Sequence, residues 1–210
     1  MASSAVHKFD EIVVFDFDGT ITTADTFALF LRYYAGTLRW ALHLLCLSPV
    51  FLAYILRVVS RNYVKSRVIS KFFTGQSVEA VQKAADKFAR EVIPGLIRPK
   101  AAEALELALK RQKDGLEGLY ICSASIGPYL RAYFGPLGVS NILATEMEAM
   151  DGVYTGRIAG WNIWGEGKVR RIKAEFEPHK VLIKEAYGDS RGDRELLNAA
   201  QASFFRPFRL

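Results

Sequence analysis

The stretch VVFDFDGTITTAD, residues 13–25, starts as an apolar run, places two aspartates one residue apart and then breaks at glycine. β-Branched and aromatic residues dominate its beginning, which predicts a β-strand over 11–18. Side chains alternate along a strand, so Asp16 and Asp18 are predicted to share one face at its end. Two such carboxylates repel each other unless a cation lies between them, and Mg²⁺ is bound in this way. The pattern therefore predicts a metal site where the first strand ends.

Strands and helices alternate along much of the chain, and this order predicts an α/β fold. Further strands are predicted at 118–124, 141–147 and 181–188, and helices at 99–113, 127–134, 166–176 and 193–201. Residues 151–160, DGVYTGRIAG, indicate a short hairpin punctuated by glycines. The alternation is typical of a doubly wound, Rossmann-like parallel sheet covered by helices on both faces. Ligands bind such sheets at the carboxyl ends of the strands, so we expect the chemistry there.

The interval 26–95 interrupts the alternation, because its patterns indicate helices only. These helices are predicted at 26–35, 38–59, 62–73 and 78–91. We therefore expect residues 1–25 and 96–210 to form the catalytic core. Residues 26–95 are expected to form a small all-helical cap inserted after the first strand, with 38–59 as its most apolar segment.

Residues 40–56, WALHLLCLSPVFLAYIL, contain no formal charge. A helix of this length extends about 25 Å, short against a hydrocarbon core near 30 Å, and Pro49 is expected to kink or divide it. A single crossing would also separate Asp16 and Asp18 from the motifs that follow. Two interpretations remain: the segment packs within the cap or a dimer, or it dips into one leaflet of a membrane. The flanking basic residues favour an anionic bilayer surface: Arg32, Arg39, Arg57, Arg61, Lys65 and Arg67.

Three later motifs carry side chains toward the same sheet edge. YGDSRGD supplies Asp189 and Asp193 at the end of a predicted strand, as a second acidic source for the cation. GEGKVRRI supplies Lys168, which is expected to contact a phosphate and to steady a carboxylate nucleophile. ICSAS supplies Ser123 and Ser125, whose hydroxyls are expected to hold phosphoryl oxygens. Because carboxylates form acyl phosphates, the set predicts phosphoryl transfer in two steps.

The order Asp-x-Asp-Gly-Thr, Ser, Lys and Gly-Asp-Ser-x-x-Asp resembles the haloacid-dehalogenase-like (HAD) phosphohydrolases over nearly the whole chain. The helical insertion after the first motif resembles subclass IB, the phosphoserine-phosphatase-like branch. Within that branch, DTFALFLRYYAG at 25–36, followed by the apolar segment, is most similar to phosphatidylglycerophosphatase C. The resemblance implies a Mg²⁺-dependent phosphatase that works through an aspartyl-phosphate.

The same resemblance implies a role for each residue. Asp16 would be the nucleophile, and Asp18 the general acid that protonates the leaving alcohol and then the base that activates water. Asp16, the backbone carbonyl of Asp18 and Asp189 would hold Mg²⁺, with Asp193 in support. The residues that orient the loop or bind the phosphoryl group would be Thr20, Ser123, Ser125 and Lys168.

Several of these positions also have plain structural interpretations. Ser125 fits a cap of the helix beginning near Gly127 as well as it fits a phosphate contact. Asp25 lies where phosphoserine phosphatases carry an acidic residue for the substrate amine, but we favour a helix N-cap there. Basic residues of the cap fit either contact with an anionic substrate or a solvated face: Arg61, Lys65 and Arg67.

Composition and charge narrow the class of partner. The 210 residues carry a formal net charge of +6, which favours anionic partners, and they contain no recognisable nucleic-acid motif. MASSAVHKFDE at 1–11 has no apolar signal segment, so we expect a cytoplasmic protein, peripheral on the cytoplasmic face if it contacts a membrane. The oligomeric state stays open.

These observations lead to one prediction and two alternatives. We predict a Mg²⁺-dependent phosphomonoester phosphatase acting on a lipid phosphate such as phosphatidylglycerophosphate. One alternative is a phosphatase for a small soluble metabolite, in which residues 40–56 are merely part of the core of the cap. The other is a catalytically silent, membrane-attached protein.

Overall fold

Six strands form one sheet: β1 (Glu11–Phe15), β2 (Gly118–Ile126), β3 (Asn141–Met150), β4 (Val153–Ala159), β5 (Leu182–Gly188) and β6 (Ala202–Phe205). They lie in the order β4–β3–β2–β1–β5–β6 in a computed structural model that describes residues 9–209. Strands β3, β2, β1, β5 and β6 run parallel to one another, and β4 pairs antiparallel with β3. The predicted α/β class with a mostly parallel sheet is confirmed. Residues 1–8 lie outside the described residues. They form most of the N-terminal stretch that the sequence analysis predicted to lack a signal segment.

The described residues contain these α-helices: α1 (Thr26–Ala35), α2 (Thr37–Ile55), α3 (Arg61–Phe73), α4 (Val78–Glu91), α5 (Pro99–Lys113), α6 (Gly127–Phe134), α7 (Glu166–Phe176) and α8 (Arg194–Ala199). Every predicted helix is present, with ends within a few residues of those expected. The first strand is shorter than predicted, since it ends at Phe15 and not at residue 18. The stretch 151–160 is not a hairpin by itself, because it supplies the turn and the second strand of the β3–β4 hairpin. β6 was not predicted.

β1 lies at the centre of the sheet and is buried on both faces. Val13 and Phe15 point into one hydrophobic cluster, whereas Ile12 and Val14 point into a second cluster on the opposite face. All four side chains are at most 1% exposed. Burial on both faces explains why the first strand reads as a continuous apolar run with no polar alternation.

The four helices between residues 26 and 91 pack on the cluster that contains Phe15. Phe30 of α1 lies at the centre of an aromatic group, with its ring centroid 5.2 Å from Phe88 of α4 and 5.1 Å from Tyr129 of α6. Tilted and edge-on aromatic contacts at such distances stabilise a packed core. The insertion therefore shares hydrophobic core with the sheet. Its treatment as a separate cap domain stays a prediction.

α2 is the one helix in the described part of the chain that is long and apolar enough to cross a membrane by length and composition. Only 6% of its most apolar window is buried, and Leu47 is its one buried side chain. Pro49 does not divide the helix. Proline cannot donate to the Leu45 carbonyl, and the Ser48 hydroxyl donates to that oxygen at 2.8 Å instead. One face of residues 40–56 packs in the core through Leu47, with Trp40, Val50 and Phe51 partly buried beside it, while most of the segment is exposed.

Candidate active site

A cavity of about 320 Å³ opens at the carboxyl ends of β1, β2 and β5. Its lining includes Asp16 and Asp18 after β1, Ser123 and Ser125 of β2, and Asp189 after β5. The wall also includes Phe27, Arg61 and Lys65 of the helical insertion. Trp164 and Lys168, near the start of α7, line the cavity as well. The structure thus brings the predicted motifs together at the sheet edge where parallel α/β folds bind ligands.

A wide turn over Phe17–Ile21 follows β1 and separates the two aspartates of the first motif. It is closed by the Thr22 amide, which donates to the Phe17 carbonyl at 3.1 Å. Gly19 has φ +78° in this turn, and a Cβ there would lie 2.6 Å from Oδ2 of Asp189. Glycine is therefore required both by the left-handed backbone and by the close approach of the last motif. The turn, and not the end of a strand, sets where Asp16 and Asp18 point.

Lys168 joins the first and last motifs inside the protein. Its ammonium donates to Oδ1 of Asp16 at 2.5 Å and to Oδ1 of Asp193 at 2.6 Å, and all three residues are buried. The Thr20 hydroxyl donates to the other oxygen of Asp16 at 2.9 Å. Asp16 is thus fixed in orientation by two donors while it lines the cavity, as a nucleophile must be.

Asp193 serves mainly to hold this arrangement. Its Oδ2 accepts from the amides of Asp189 and Ser190 at 3.2 and 2.9 Å and from the Ser190 hydroxyl at 2.8 Å. With Lys168 on Oδ1, these donors fill the roughly four acceptor positions of a carboxylate. Acidic oxygens of Asp16, Asp189 and Asp193 lie within 4.8 Å of one another, and Asp193 is the least free of the three to bind a cation.

The Asp18 carboxylate is held between the sheet and the helical insertion. Its Oδ1 accepts from the amide and the hydroxyl of Thr26 at 2.7 and 2.6 Å, and its Oδ2 accepts from the Ser125 hydroxyl. The side chain therefore points away from the acidic cluster. A metal contact from Asp18 would have to come from its backbone carbonyl, as the family resemblance implies.

The predicted substrate-binding residues differ in what they contact. Ser123 is buried in the cavity wall, and its hydroxyl accepts from the Ser125 amide at 3.0 Å. Ser125 does not cap α6, whose N-cap is Ile126 without a side-chain bond, and its hydroxyl is directed at Asp18. Thr20 contacts Asp16 and is not part of the cavity lining. These contacts favour positioning roles for Thr20 and Ser125, while contact with substrate stays a prediction.

Several residues of the site carried no signal in the sequence analysis. Thr26 directly follows Asp25, for which we favoured the role of a helix N-cap. Asp25 does cap α1, since its side chain accepts from the Ala28 amide at 2.9 Å. Arg209 donates to Oδ2 of Asp189, and Arg206 donates to the Asp189 carbonyl at 2.9 Å. These contacts join residues 8 to 20 positions apart, beyond the spacings that mark helices and strands, so no local pattern marks them.

Burial changes the pKa values of the acidic groups. It raises the pKa of Asp16 to about 7, even though Lys168 opposes the shift. It also raises the pKa values of Asp18 and Asp189. Burial acts in the same direction on Asp193, but the ammonium of Lys168 and the hydrogen bonds from Ser190 together outweigh it and lower that pKa. Asp193 is thus the negatively charged partner of Lys168. A further positive charge nearby would favour the charged forms of Asp16, Asp18 and Asp189.

The sequence profile of the haloacid dehalogenase-like hydrolases matches residues 13–198. The chain belongs to this family. A family relative, Protein CicA of Caulobacter vibrioides, is 32% identical over 199 residues, which cover 94% of this chain and 86% of that protein. A probable phosphatase of Mycobacterium tuberculosis is 29% identical over 147 residues, covering 67% of this chain and 48% of that protein.

Solved structures agree with this assignment at the level of the fold. A Bordetella pertussis protein of unknown function has a TM-score of 0.77 at 21% identity, covering 93% of this chain and 89% of that one. Two phosphoserine phosphatases, one of them the probable enzyme of Vibrio cholerae, have TM-scores of 0.63 and 0.59 at 12% and 18% identity. The predictions of an enzyme, a HAD-family hydrolase and a phosphoserine-phosphatase-like fold are confirmed. The closer likeness to phosphatidylglycerophosphatase C stays a prediction.

Gly19→Ala tests the close approach of the first and last motifs. The new methyl group is expected to displace Asp189, and activity on p-nitrophenyl phosphate should fall by about 10- to 100-fold, as for a misplaced catalytic group. Gly138→Ala is the matched control, because Gly138 has φ +86° and ψ +13° but a methyl group added there would meet no atom within 4 Å. Both variants should lose about 1–2 kcal/mol of unfolding free energy in urea. Equal activity of the two variants would contradict the assignment of Asp189 to the site.

Proposed function

We propose that this hydrolase is a Mg²⁺-dependent phosphomonoester phosphatase that forms an aspartyl-phosphate on Asp16. The observation that carries the proposal is the buried Asp16 carboxylate, lining the cavity while Lys168 and Thr20 fix its two oxygens. A positioned carboxylate beside a second, separately held carboxylate at Asp18 fits nucleophilic catalysis with a general acid. The name of the Mycobacterium tuberculosis relative, a probable phosphatase, agrees with this class of reaction.

Asp16 and Asp18 have different roles in the proposed reaction. An oxygen of Asp16 attacks phosphorus, the bond from phosphorus to the leaving oxygen breaks, and protonated Asp18 gives its proton to the departing alcohol. Asp18, now a carboxylate, takes a proton from water, whose oxygen attacks phosphorus and displaces Asp16. The products are the alcohol and inorganic phosphate. The raised pKa of Asp18 suits a group that must start this cycle protonated.

The donor set fits Mg²⁺, which prefers one or two carboxylates together with waters and substrate phosphate oxygens. Asp16 and Asp189 are the carboxylates that would hold it, with the Asp18 carbonyl, and Asp193 supports them through Lys168 and the Ser190 loop. When bound, the ion would offset negative charge on the transferring phosphoryl group. Burial raises the pKa values of Asp16 and Asp189, and a bound cation would favour their charged forms.

A lipid phosphate, such as phosphatidylglycerophosphate, is the substrate we propose, and an anionic membrane surface is the proposed partner. Five leucines are more than half exposed and follow one another at spacings of three, four or seven residues, along one side of α2 and just beyond it: Leu38, Leu42, Leu45, Leu52 and Leu56. Here they are called the leucine stripe. An exposed apolar stripe of this kind fits an interfacial helix that lies in a bilayer surface.

The charge around α2 supports an anionic surface over a neutral one. Residues 26–78 contain no Asp or Glu and seven basic residues, more positive charge than the formal +6 of the whole chain. Basic residues near a membrane surface each add roughly 1 kcal/mol of attraction to anionic lipid. Phe27 before α2 and Arg61 after it both line the active-site cavity. The chain therefore reaches the same site both before and after α2, which favours a helix lying along the membrane over one that crosses it.

Asp16→Asn tests the nucleophile. The amide cannot form the acyl phosphate, so turnover of p-nitrophenyl phosphate should fall by more than about 10³-fold. Asp114→Asn, at an exposed position after α5, is the matched control and should keep wild-type turnover. Circular dichroism should show that both variants are folded. Substantial turnover by a folded Asp16→Asn protein would remove Asp16 from the nucleophile role.

Metal removal tests the cation. Exhaustive chelation with EDTA should abolish phosphate release, and added Mg²⁺ should restore it. In the same protein, Mg²⁺ at 100 times its Kd should stabilise the fold by about 2.7 kcal/mol, seen as a higher Tm. Asp189→Asn should lose most of this thermal shift. Full activity after chelation, with no Tm response to Mg²⁺, is the result that speaks against a divalent ion.

Vesicle flotation tests the membrane partner. The full chain should float with vesicles that contain phosphatidylglycerol and much less with vesicles of phosphatidylcholine alone, and high salt should weaken the binding because it screens charge. The double variant Leu42→Glu/Leu45→Glu should lose about tenfold or more of the floated fraction, since it places charge on the stripe. Leu107→Glu on α5, where Leu107 is 52% exposed, is the matched control.

The outcomes separate the lipid proposal from the soluble alternative. Equal flotation of wild type and the double variant would take the leucine stripe out of membrane binding. Hydrolysis of soluble phosphomonoesters only, with none of a phosphatidylglycerophosphate presented in mixed micelles, would favour a soluble metabolite as substrate.

A further inference from the structure

Two basic side chains of the insertion face the cavity without a carboxylate partner. Arg61 and Lys65 lie one turn apart at the start of α3, and both line the cavity that contains Asp16 and Asp18. Neither forms an ion pair within 4.0 Å with any carboxylate among residues 9–209. Arg61 is exposed and Lys65 is half-buried, so the cost of desolvation falls on Lys65, whose charge is not compensated by an ion pair.

Aromatic rings hold both cations in place. The Lys65 ammonium lies 3.1 Å from the ring centroid of Phe27, and the Arg61 guanidinium lies 5.3 Å from that of Trp164. Such cation–π contacts fix the position of a charge but do not neutralise it. The two side chains therefore present positive charge toward the cavity. They are called the cationic wall below.

The cationic wall lies on the side of the cavity from which the alcohol would leave. Asp18, the proposed proton donor to the alcohol, is bonded to Thr26 at the start of the insertion, one residue before Phe27. The charges of Asp25 and Asp18 both act on Lys65, which places its ammonium within their electrostatic reach. Asp25 offsets part of the wall, but its Oδ1 is engaged by the Ala28 amide. Lys65 is thus within reach of two carboxylates, but neither of them forms an ion pair with it or with Arg61.

We propose that Arg61 and Lys65 form a second anion subsite, which selects phosphomonoesters whose leaving alcohol itself carries a negative group. This inference rests on the proposed phosphatase activity and deepens it, because it names a feature of the substrate. The negative group could be the phosphodiester of a phospholipid headgroup or a carboxylate, since both accept charge-assisted hydrogen bonds from Arg and Lys. Burial lowers the pKa of Lys65 to about 7, and an anion at this subsite would favour its charged form.

Three water-soluble substrates test the subsite without any membrane. Glycerol 3-phosphate has an uncharged leaving alcohol, deacylated glycerophosphoglycerol phosphate carries a phosphodiester, and 3-phosphoglycerate carries a carboxylate. The measurement is kcat/KM for phosphate release, expressed as the ratio of each anionic substrate to glycerol 3-phosphate. Wild type should show a ratio of about 10 or more for at least one anionic substrate, and the substrate with the higher ratio identifies the preferred anion.

Arg61→Gln and Lys65→Gln should each lower this ratio by about 10- to 100-fold, the value expected for loss of a charge-assisted hydrogen bond. Arg67→Gln removes the same charge from an exposed position on α3 that does not line the cavity, and it should keep the wild-type ratio. Arg61→Lys and Lys65→Arg keep the charge and should keep most of the ratio. These charge-keeping variants show whether charge or side-chain packing is responsible.

The possible results distinguish failure of the anion subsite from failure of the proposed phosphatase activity. A ratio near 1 in wild type, or a ratio that stays within twofold of wild type in both Gln variants, would overturn the subsite while leaving the phosphatase assignment intact. An equal loss of the ratio in Arg67→Gln, or in the charge-keeping variants, would overturn it as well. Absence of phosphate release from all three substrates by wild type would contradict the proposed function, and the subsite with it.

Discussion

The buried ammonium of Lys168, shared between Asp16 and Asp193, is the interaction on which the rest of the site depends. A single buried charge is costly, but this cation meets two carboxylates at 2.5 and 2.6 Å, and the remaining acceptors of Asp193 are filled by its own loop. α7, the end of β1 and the loop after β5 must therefore keep one relative position. Removal of Lys168 would leave two buried carboxylates without their cation, so the constraint that orders Asp16 also stabilises the fold.

Charge is divided between the two parts of the chain that meet at the cavity. The strand ends supply the carboxylates Asp16, Asp18 and Asp189, whose pKa values are raised by burial. The insertion supplies Arg61 and Lys65 to the wall of the same cavity. A phosphomonoester binds best in such a cavity when a cation offsets the acidic side and the leaving group offers an anion to the basic side. The division follows from sequence, since 26–78 contains no acidic residue.

Local patterns in the sequence predicted most of the elements, because those elements depend on periodicity and caps. The ends of α1, α4, α5, α6 and α7 agree with the apolar spacing and turn residues. The sequence could not show that β1 stops at Phe15, because the turn after it depends on Gly19 meeting Asp189, 170 residues later. Thr26 on Asp18 was missed because the sequence analysis did not predict the turn between them. Arg209 on Asp189 was missed because Arg209 lies beyond β6, a strand that was not predicted. Such contacts exist only once distant segments have packed together.

The composition of α2 alone does not decide whether it is a buried helix or an interfacial helix. An apolar, uncharged segment fits a buried helix and an interfacial helix equally well, and only the exposure of its side chains separates the two. Here the exposed leucine stripe continues to Leu56, and Arg61 of the cationic wall follows five residues later. If the stripe lies in a bilayer, the wall is held close to the headgroups. The same short segment would then both attach the enzyme to an anionic surface and contact the anionic part of a substrate drawn from it.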